Sequence, residues 1–395
     1  MALAYFKSKA NESYLDKKNE DLIDNVKFTV HKFNHRIKPK KLDRIKIISC
    51  FSEFGCETLG CMYCIPRLMK RFPGSYIIAM GWHGREYLYR HLVDEFWEID
   101  ESYMWLREYT RAFHHVSTNL ENLEKAATKY GEVIPASALG KYAVCNFCRT
   151  CGKFWHEWRR RSDTCSSCGS TVIIRSMFTD TKSYKKTAVK IPQPSQENIE
   201  WAKGLLKQRP VGIFARGRKT YGRNLQPDFY VKLINQLRDR GHSIVWLGEK
   251  QSTLPCPVDD VFDFTKMPES RDLEKTLSII SQLEFTVQFW TASTRLAGMM
   301  GTPFLLFESP EQIYVSYSGL MSAQEGKRLE LTAFGNKKVV IAHYHNVFND
   351  NARALELVDR AIDEMEDNNW SDIIGMVEDE HFVKQLQQEH LEMLT

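Results

Sequence analysis

The sequence predicts an α/β protein of two tandem Rossmann-like domains with a small zinc-ribbon insertion in the first. Three observations predict it. β-Branched apolar runs alternate with amphipathic stretches across residues 45–130, and the same alternation returns more cleanly across 211–343. Between the two blocks stand a pair of C-x-x-C-G knuckles, Cys148-Arg-Thr-Cys151-Gly and Cys165-Ser-Ser-Cys168-Gly.

Composition sets the bounds. A chain of 395 residues, 43% hydrophobic and 12% aromatic, is long enough for two domains that each bury a core. No apolar run approaches the ~20 residues that span a bilayer. The stretch MALAYFKSKANESYLDKK lacks the apolar centre of a signal peptide, so a cytoplasmic location is expected. The net charge of +4 permits a phosphate-bearing ligand or nucleic acid without requiring one. Ten cysteines in such a chain point to thiols and metal rather than to a disulfide framework.

Residues 1–43 are charged, lack a clear apolar period and end in KFNHRIKPKKLDR, which predicts a loosely attached helical arm. The first domain is expected over 44–190. IKIISC (45–50) reads as a buried strand, followed by the turn SEFGCETLG and a helix, CMYCIPRLMKRF, closed at Pro73-Gly74. SYIIAMG (75–81) is a second strand, a helix follows around Arg85–Leu92, and DEFWEI (94–99) is a third strand. A helical stretch at 118–130 continues the domain before the ribbon at 145–169 interrupts it.

The ribbon carries five cysteines within 24 residues. A glycine after the second cysteine of each knuckle permits the positive φ such a turn tends to need. Four thiolates from Cys148, Cys151, Cys165 and Cys168 satisfy tetrahedral zinc with no open position, so the metal is expected to be structural. Cys145 can replace Cys148 in the ligand set, and His156 is a weaker candidate. Arg159, Arg160 and Arg161 beside Trp155 and Trp158 form a basic, aromatic tip suited to phosphate backbones and stacked bases, or simply a solvated hairpin end. Cys50, Cys56, Cys61 and Cys64 are not read as a second metal site, since their spacing places Cys61 and Cys64 on one helical face, in the core.

Proline and polar residues in KIPQPSQEN (190–198) mark a linker, and a second domain is expected over 199–345. Its strands are VGIFAR, HSIVWLG, a short VFDFT, FTVQFW, TPFLLFE and, last, KKVVIAHY. Its helices are PDFYVKLINQLRDRG, RDLEKTLSIISQ and STRLAGMMG. Residues 346–395 are helical and acidic and are expected to pack back across the first domain.

Ligands of parallel sheets bind at the carboxyl ends of the strands. There stands ARGRKTYGRN (215–224), where Arg216, Arg218, Lys219 and Arg223 crowd into eight residues around Gly217 and Gly222. Glycines let backbone amides approach an anion, and guanidinium forks match phosphate oxygens. After FTVQFW, Thr291-Ala-Ser293-Thr294 opens a helix, whose free amides and hydroxyls make an anion site or a plain N-cap. Glu308, at the end of a strand, can accept bonds from a ribose or cap a helix.

The order strand, RGR loop, helix, GHSIVWLG, helix, FTVQFWTASTRLAGMMGTPFLLFES resembles the donor-binding half of GT-B glycosyltransferases, and most of all the heptosyltransferase-like group. The resemblance covers about 130 residues well and the first domain only in outline. It implies a nucleotide-sugar donor used without an essential metal and with inversion at the anomeric carbon. Arg216, Lys219 and Arg223 would face the donor diphosphate, Thr291, Ser293 and Thr294 would support it, and Gly248 and Glu249 would lie near the nucleoside. The family's first strand is followed by a glycine-acidic loop carrying the catalytic base. Here SEFGCETLGCMYCIPRL offers Glu53 and Glu57 around Gly55, with Glu57 favoured, although the spacing to Pro66 is longer than in the family. A carboxylate is needed because the acceptor hydroxyl must lose its proton as it attacks. His83 and Arg85, in GWHGRE, are candidates for the acceptor side.

The expected function is therefore transfer of a sugar from a nucleotide-sugar donor to an acceptor hydroxyl. The acceptor is either a bacterial surface glycan or a modified DNA base of the phage type, the latter suggested by the ribbon and its arginines. A non-catalytic nucleic-acid-binding protein on a degenerate GT-B scaffold is the alternative from a different class.

Overall fold

A computed structural model of the chain describes residues 26–33, 36–51, 54, 57–103, 118–135, 145–148, 150, 154–156, 164–165, 167–170, 173–176, 192–217, 225–250, 252–289, 293–308, 339–343, 351–367 and 374–377. These fall into two compact units, 26–135 and 145–377.

The first unit holds strands β1 (Phe28–Lys32), β2 (Ile45–Ser49), β3 (Tyr76–Gly81), β4 (Glu95–Ile99) and β5 (Glu132–Ile134). Helices α1 (Met62–Arg71), the short α2 (Glu86–Tyr89) and α3 (Thr118–Ala127) alternate with them. The sheet order is β1-β4-β3-β2-β5, parallel except for β1, which runs antiparallel to β4. Every residue of β2, β3 and β4 is buried, as a parallel sheet covered on both faces requires. Ile47, Ile78, Met80, Trp82 and Trp97 form the centre of its core.

Two sequence expectations change here. The presumed helical arm contributes an edge strand, because Phe28-Thr-Val-His-Lys32 pairs with β4 from Phe28↔Ile99 to Lys32↔Glu95. Basic residues beyond it then clasp the same strand: Arg36 bonds Asp94 at 3.1 Å and Lys38 bonds Glu95 at 3.2 Å. The helix expected around Arg85–Leu92 shrinks to four residues, closed when the Leu92 and Val93 amides both return to the Tyr89 carbonyl.

The second unit is built on seven parallel strands: β9 (Pro210–Phe214), β10 (Ser243–Leu247), β11 (Phe262–Asp263), β12 (Phe285–Phe289), β13 (Phe304–Glu308), β14 (Val339–His343) and β15 (Ile374–Val377). Their order is β11-β10-β9-β12-β13-β14-β15. Helices α4 (Gln196–Leu205), α5 (Pro227–Asp239), α6 (Leu273–Ser281), α7 (Ser293–Met300) and α8 (Asn351–Asp367) complete it. Ser195 caps α4 by accepting from the Asn198 amide, and Asp272 caps α6 through the Lys275 amide.

Two further corrections concern the C-terminal part. KKVVIAHY is not the last strand, since Ile374–Val377 adds a seventh. Helix α8, expected against the first domain, belongs to the second unit's core: Ala354, Val358, Ala361 and Ile362 pack with Phe229, Leu233 and Trp246. Arg240 fixes its polar side, bonding Asp359 at 2.8 Å and Asp363 at 2.9 Å.

The ribbon strands β6 (Cys145–Cys148), β7 (Phe154–His156) and β8 (Ile173–Ser176) form a separate antiparallel sheet with β6 in the middle. They group with the second unit, whereas the sequence placed them in the first domain. Among the described residues, no helix is long and apolar enough to cross a membrane.

Candidate functional site

Parallel pairing brings the sequence-predicted residues of the second unit to one edge. Phe214 lies level with Leu247 and Gln288, Gln288 with Leu306, and Leu306 with Ile341. Two residues further on, Arg216, Glu249, Glu308 and His343 therefore leave the sheet at one level, and Glu308 pairs with His343 directly. Helix α7 begins at Ser293 from the same edge, so Ser293 and Thr294 occupy its first turn. Arg218, Lys219, Arg223 and Thr291 lie outside the described residues.

Arg216 is only 8% exposed and forms an isolated bridge with Thr253. Burial pushes the phenol of Tyr230 above its usual range, and the positive charge of Arg216 pulls against that shift. The glycines here serve a different purpose from the one expected. The Gly217 amide donates to the Ser252 carbonyl at 2.8 Å, so this amide is already engaged. A Cβ on Gly217 would lie 2.7 Å from the Leu254 nitrogen, which makes glycine a condition for closing the 249–254 loop onto the strand end. Gly248 has φ +133, and a Cβ there would meet the Thr253 hydroxyl. The loop is also held by the Ser252 amide on the Glu249 carbonyl at 2.8 Å.

Gln288 escaped the sequence reading. It is 2% exposed on β12, and among the described residues neither its amide nitrogen nor its oxygen has a hydrogen-bond partner. The signal available was a glutamine inside the otherwise apolar run FTVQFW. A buried amide left unpaired costs on the order of 1–3 kcal/mol, so it is a group to which a ligand could bond.

The first unit gathers a second set of groups at the carboxyl edge of its sheet. Glu57 follows β2 in a π-helical turn (Glu57–Cys61) that leads into α1. Its carboxylate is fully buried, accepts from the Tyr89 hydroxyl at 2.8 Å and faces Arg85 at 3.6 Å. Arg85 in turn lies over the Phe54 ring at 4.3 Å, and Tyr89 stacks on Phe96 at 5.0 Å. Burial, with the neighbouring Cys50 and Glu57, pushes the Tyr89 phenol well above its usual range. Enclosed in this way, Glu57 suits a carboxylate that positions Arg85 and Tyr89 better than the general base favoured from the sequence. Glu53 lies outside the described residues.

His83 is half exposed and bonds Glu98 at 2.5 Å through Nδ1, so it and Arg85 share an edge but turn to different partners. Glu98 also faces His31 at 3.3 Å. Burial raises the Glu86 carboxyl, helped by the adjacent Glu98. His31, Glu86, Glu98 and Tyr89 were missed because they come from three separate stretches. The clue was Asp94, Glu95 and Glu98 within one apolar strand, since carboxylates in a buried strand need partners.

In the ribbon, residues around the second knuckle are described. The Ser167 amide points at the Cys165 sulfur at 3.4 Å, the Gly169 amide returns to the Cys165 carbonyl at 2.8 Å, and Gly169 takes φ +70. An amide aimed at sulfur favours the thiolate form that a metal needs. The Thr150 hydroxyl bonds that of Ser170 at 2.7 Å, which ties the first knuckle to the second. Cys145 and Cys148 bound β6, Cys168 is exposed, and Cys151, Arg159, Arg160 and Arg161 lie outside the described residues. Cys50 and Cys61 are fully buried in the core, as expected.

No protein-family profile and no curated protein matches the chain. Among solved structures it is similar to a glycosyl transferase family 9 protein from Veillonella parvula, at 10% identity and a TM-score of 0.44, over 90% of this chain and 100% of that one. It is also similar to the E. coli ADP-heptose LPS heptosyltransferase II, at 13% identity and a TM-score of 0.44, over 82% and 99%. A wall teichoic acid polymerase is similar at 11% identity and a TM-score of 0.31, over 98% and 97%. Scores this low transfer neither residues nor activity to this chain.

Proposed function

We propose that the protein is a glycosyltransferase that moves a sugar from a nucleotide-sugar donor to an acceptor hydroxyl, with the donor held at the carboxyl edge of the seven-stranded sheet. The observation that carries this reading is the single level at which Arg216, Glu249 and Glu308 leave that sheet, beside the first turn of α7. It is supported by the likeness of ARGRKTYGRN and FTVQFWTASTRLAGMMG to the donor half of GT-B glycosyltransferases.

In this reading the buried guanidinium of Arg216 is a fixed positive charge, and Arg218, Lys219 and Arg223 extend it along the loop. They stabilise the diphosphate as charge develops on it during departure, an electrostatic role that needs no reorganisation. Ser293 and Thr294, with Thr291, add hydroxyls and amides at a helix start that favours anions. Gly248, Glu249 and Glu308 flank the nucleoside, and the Gln288 amide offers it a donor and an acceptor. Deprotonation of the acceptor falls to a carboxylate of the loop after β2, with Glu53 preferred now that Glu57 is seen enclosed.

The ribbon is proposed to hold a structural zinc through Cys148, Cys151, Cys165 and Cys168, supported by the amide-to-sulfur geometry of the second knuckle. The acceptor is proposed to be a glycan or a DNA base, and an assay with both sorts them. Calorimetric titration of the full chain with ADP, GDP, UDP and CDP tests the donor site. One nucleotide family should bind, and Arg216→Ala should weaken it at least tenfold. Unchanged affinity in that variant would remove the donor site from this edge.

A further inference from the structure

The first unit holds a group of coordinating side chains that neither the donor site nor the ribbon uses. The antiparallel register of β1 and β4 sets Thr29 opposite Glu98, so His31, two residues along on the same face, is a diagonal neighbour of Glu98. The parallel register of β3 and β4 sets Gly81 beside Glu98, and the chain turns directly from Gly81 into α2, whose first residue is Glu86. One donor atom from each of His31, Glu86 and Glu98 lies within 4.8 Å of the other two.

We propose that His31, Glu86 and Glu98 form a binding site for a first-row divalent cation. A hydrogen-bonded cluster alone explains the geometry poorly. Among the described residues, Nε2 of His31 and Oε2 of Glu86 are enclosed atoms without a well-formed hydrogen bond, although Nε2 approaches Glu98 to 3.3 Å and the Glu86 and Glu98 carboxyl groups lie against each other. A cation between the three groups bonds both of these atoms at once. It also relieves the repulsion between two adjacent carboxylates, of which Glu98 is 6% exposed.

His83 fits the role of a positioning residue. Its Nδ1 lies 2.5 Å from Oε1 of Glu98, while Oε2 is the oxygen that faces His31. A partner on the second oxygen fixes a ligating carboxylate in orientation. One imidazole and two carboxylates suit first-row ions such as Mn2+, Fe2+ or Zn2+, and the imidazole nitrogen disfavours Mg2+ and Ca2+, which prefer all-oxygen shells. Three protein ligands leave positions open for water or for a substrate oxygen. The side chains of His31 and His83 are 31% and 47% exposed, which gives an ion access.

Mn2+ tests the site, because it favours nitrogen and oxygen ligands and is a poor fit to the four-thiolate ribbon. Electron paramagnetic resonance counts free Mn2+ as it is titrated into the full chain. One ion should bind per chain, with His31→Ala and the isosteric Glu98→Gln each weakening it at least tenfold and Cys165→Ser leaving it unchanged. His83→Ala, at a half-exposed position, should weaken it about tenfold as a loss of orientation. The proposal is overturned if the native chain binds no Mn2+, or if it binds equally well after the His31, Glu98 and His83 changes.

Discussion

Glu57 offers the sharpest test of how the first unit is organised. Its Oε1 accepts from the Tyr89 hydroxyl at 2.8 Å, both side chains are fully buried, and Arg85, 14% exposed, stands 3.6 Å from Oε2. A hydrogen bond to a charged group is worth about 1.5–3 kcal/mol, and breaking one partner of a buried ion pair costs about 3–5 kcal/mol. Glu57→Ala should therefore destabilise the unit by about 3–5 kcal/mol. Glu57→Gln keeps an acceptor for Tyr89 and loses only the charge, so about 1–3 kcal/mol is expected. With Tyr89→Phe, Glu57→Gln should show a coupling energy of about 1–2 kcal/mol in a double-mutant cycle. Amide hydrogen exchange of peptides covering β2 and β3 reads the loss within this unit. A general base would behave differently, losing ~10²–10⁴ in rate on conversion to glutamine with little change in stability. Exchange unchanged in Glu57→Ala, or a coupling energy near zero, would refute the positioning role.

Other consequences are open to measurement. Burial raises the phenols of Tyr76, Tyr89 and Tyr230, with Glu95 and Asp94 adding to the shift at Tyr76. A raised folded pKa keeps its contribution in full below the unfolded value of about 10 and loses it as pH rises toward the folded one. Stability should thus fall above about pH 10 by roughly 1.4 kcal/mol per pH unit for each phenol, and urea unfolding across that window checks it. A flat profile, or all tyrosines ionising together near pH 10 in the folded protein, would contradict this. Ile362→Ala should cost about 2–5 kcal/mol and raise exchange in β9 and β10, since the side chain is fully buried there; loss confined to β2 and β3 would misplace α8. Cys165→Ser should lose one zinc per chain by elemental analysis, and a variant retaining it would end the four-thiolate reading.

Much of the fold was legible because hydrophobic period is a local property. IKIIS, YIIAMG, PVGIF, SIVWL and FLLFE were read as strands from composition alone, and each is a strand in the structure. The failures share a cause. FTVHK looked like part of a charged arm because what makes it a strand is a partner 71 residues away, Phe28↔Ile99. IIGMV is a five-residue run between Asp372 and Glu378, too short to stand out without β14 beside it. The segment holding α8 was expected against the first domain because its sequence shows an acidic helix but not its partner, and its buried stripe contains two alanines, which hydropathy weighs lightly.

The site divides along the same line. Arg216, Glu249, Ser293 and Glu308 follow strands that could be found in sequence, so their common edge follows from parallel topology. The role of Gly217 could not be read, because the need for glycine comes from Thr253 and Leu254 approaching across space. The burial of Glu57 depends on Tyr89 and Arg85, from the far side of β3, and the His31–Glu86–Glu98 group on three elements meeting at one edge.

The central claim is that the carboxyl edge of the seven-stranded sheet binds a nucleoside diphosphate. Hydrogen exchange of the full chain with and without a saturating nucleoside diphosphate tests it most directly. The account predicts protection at residues 214–217, 248–254 and 293–300, where the strand ends and the first turn of α7 meet. Protection confined to the amino ends of these strands, or no protection with any of the four nucleotides, would contradict it.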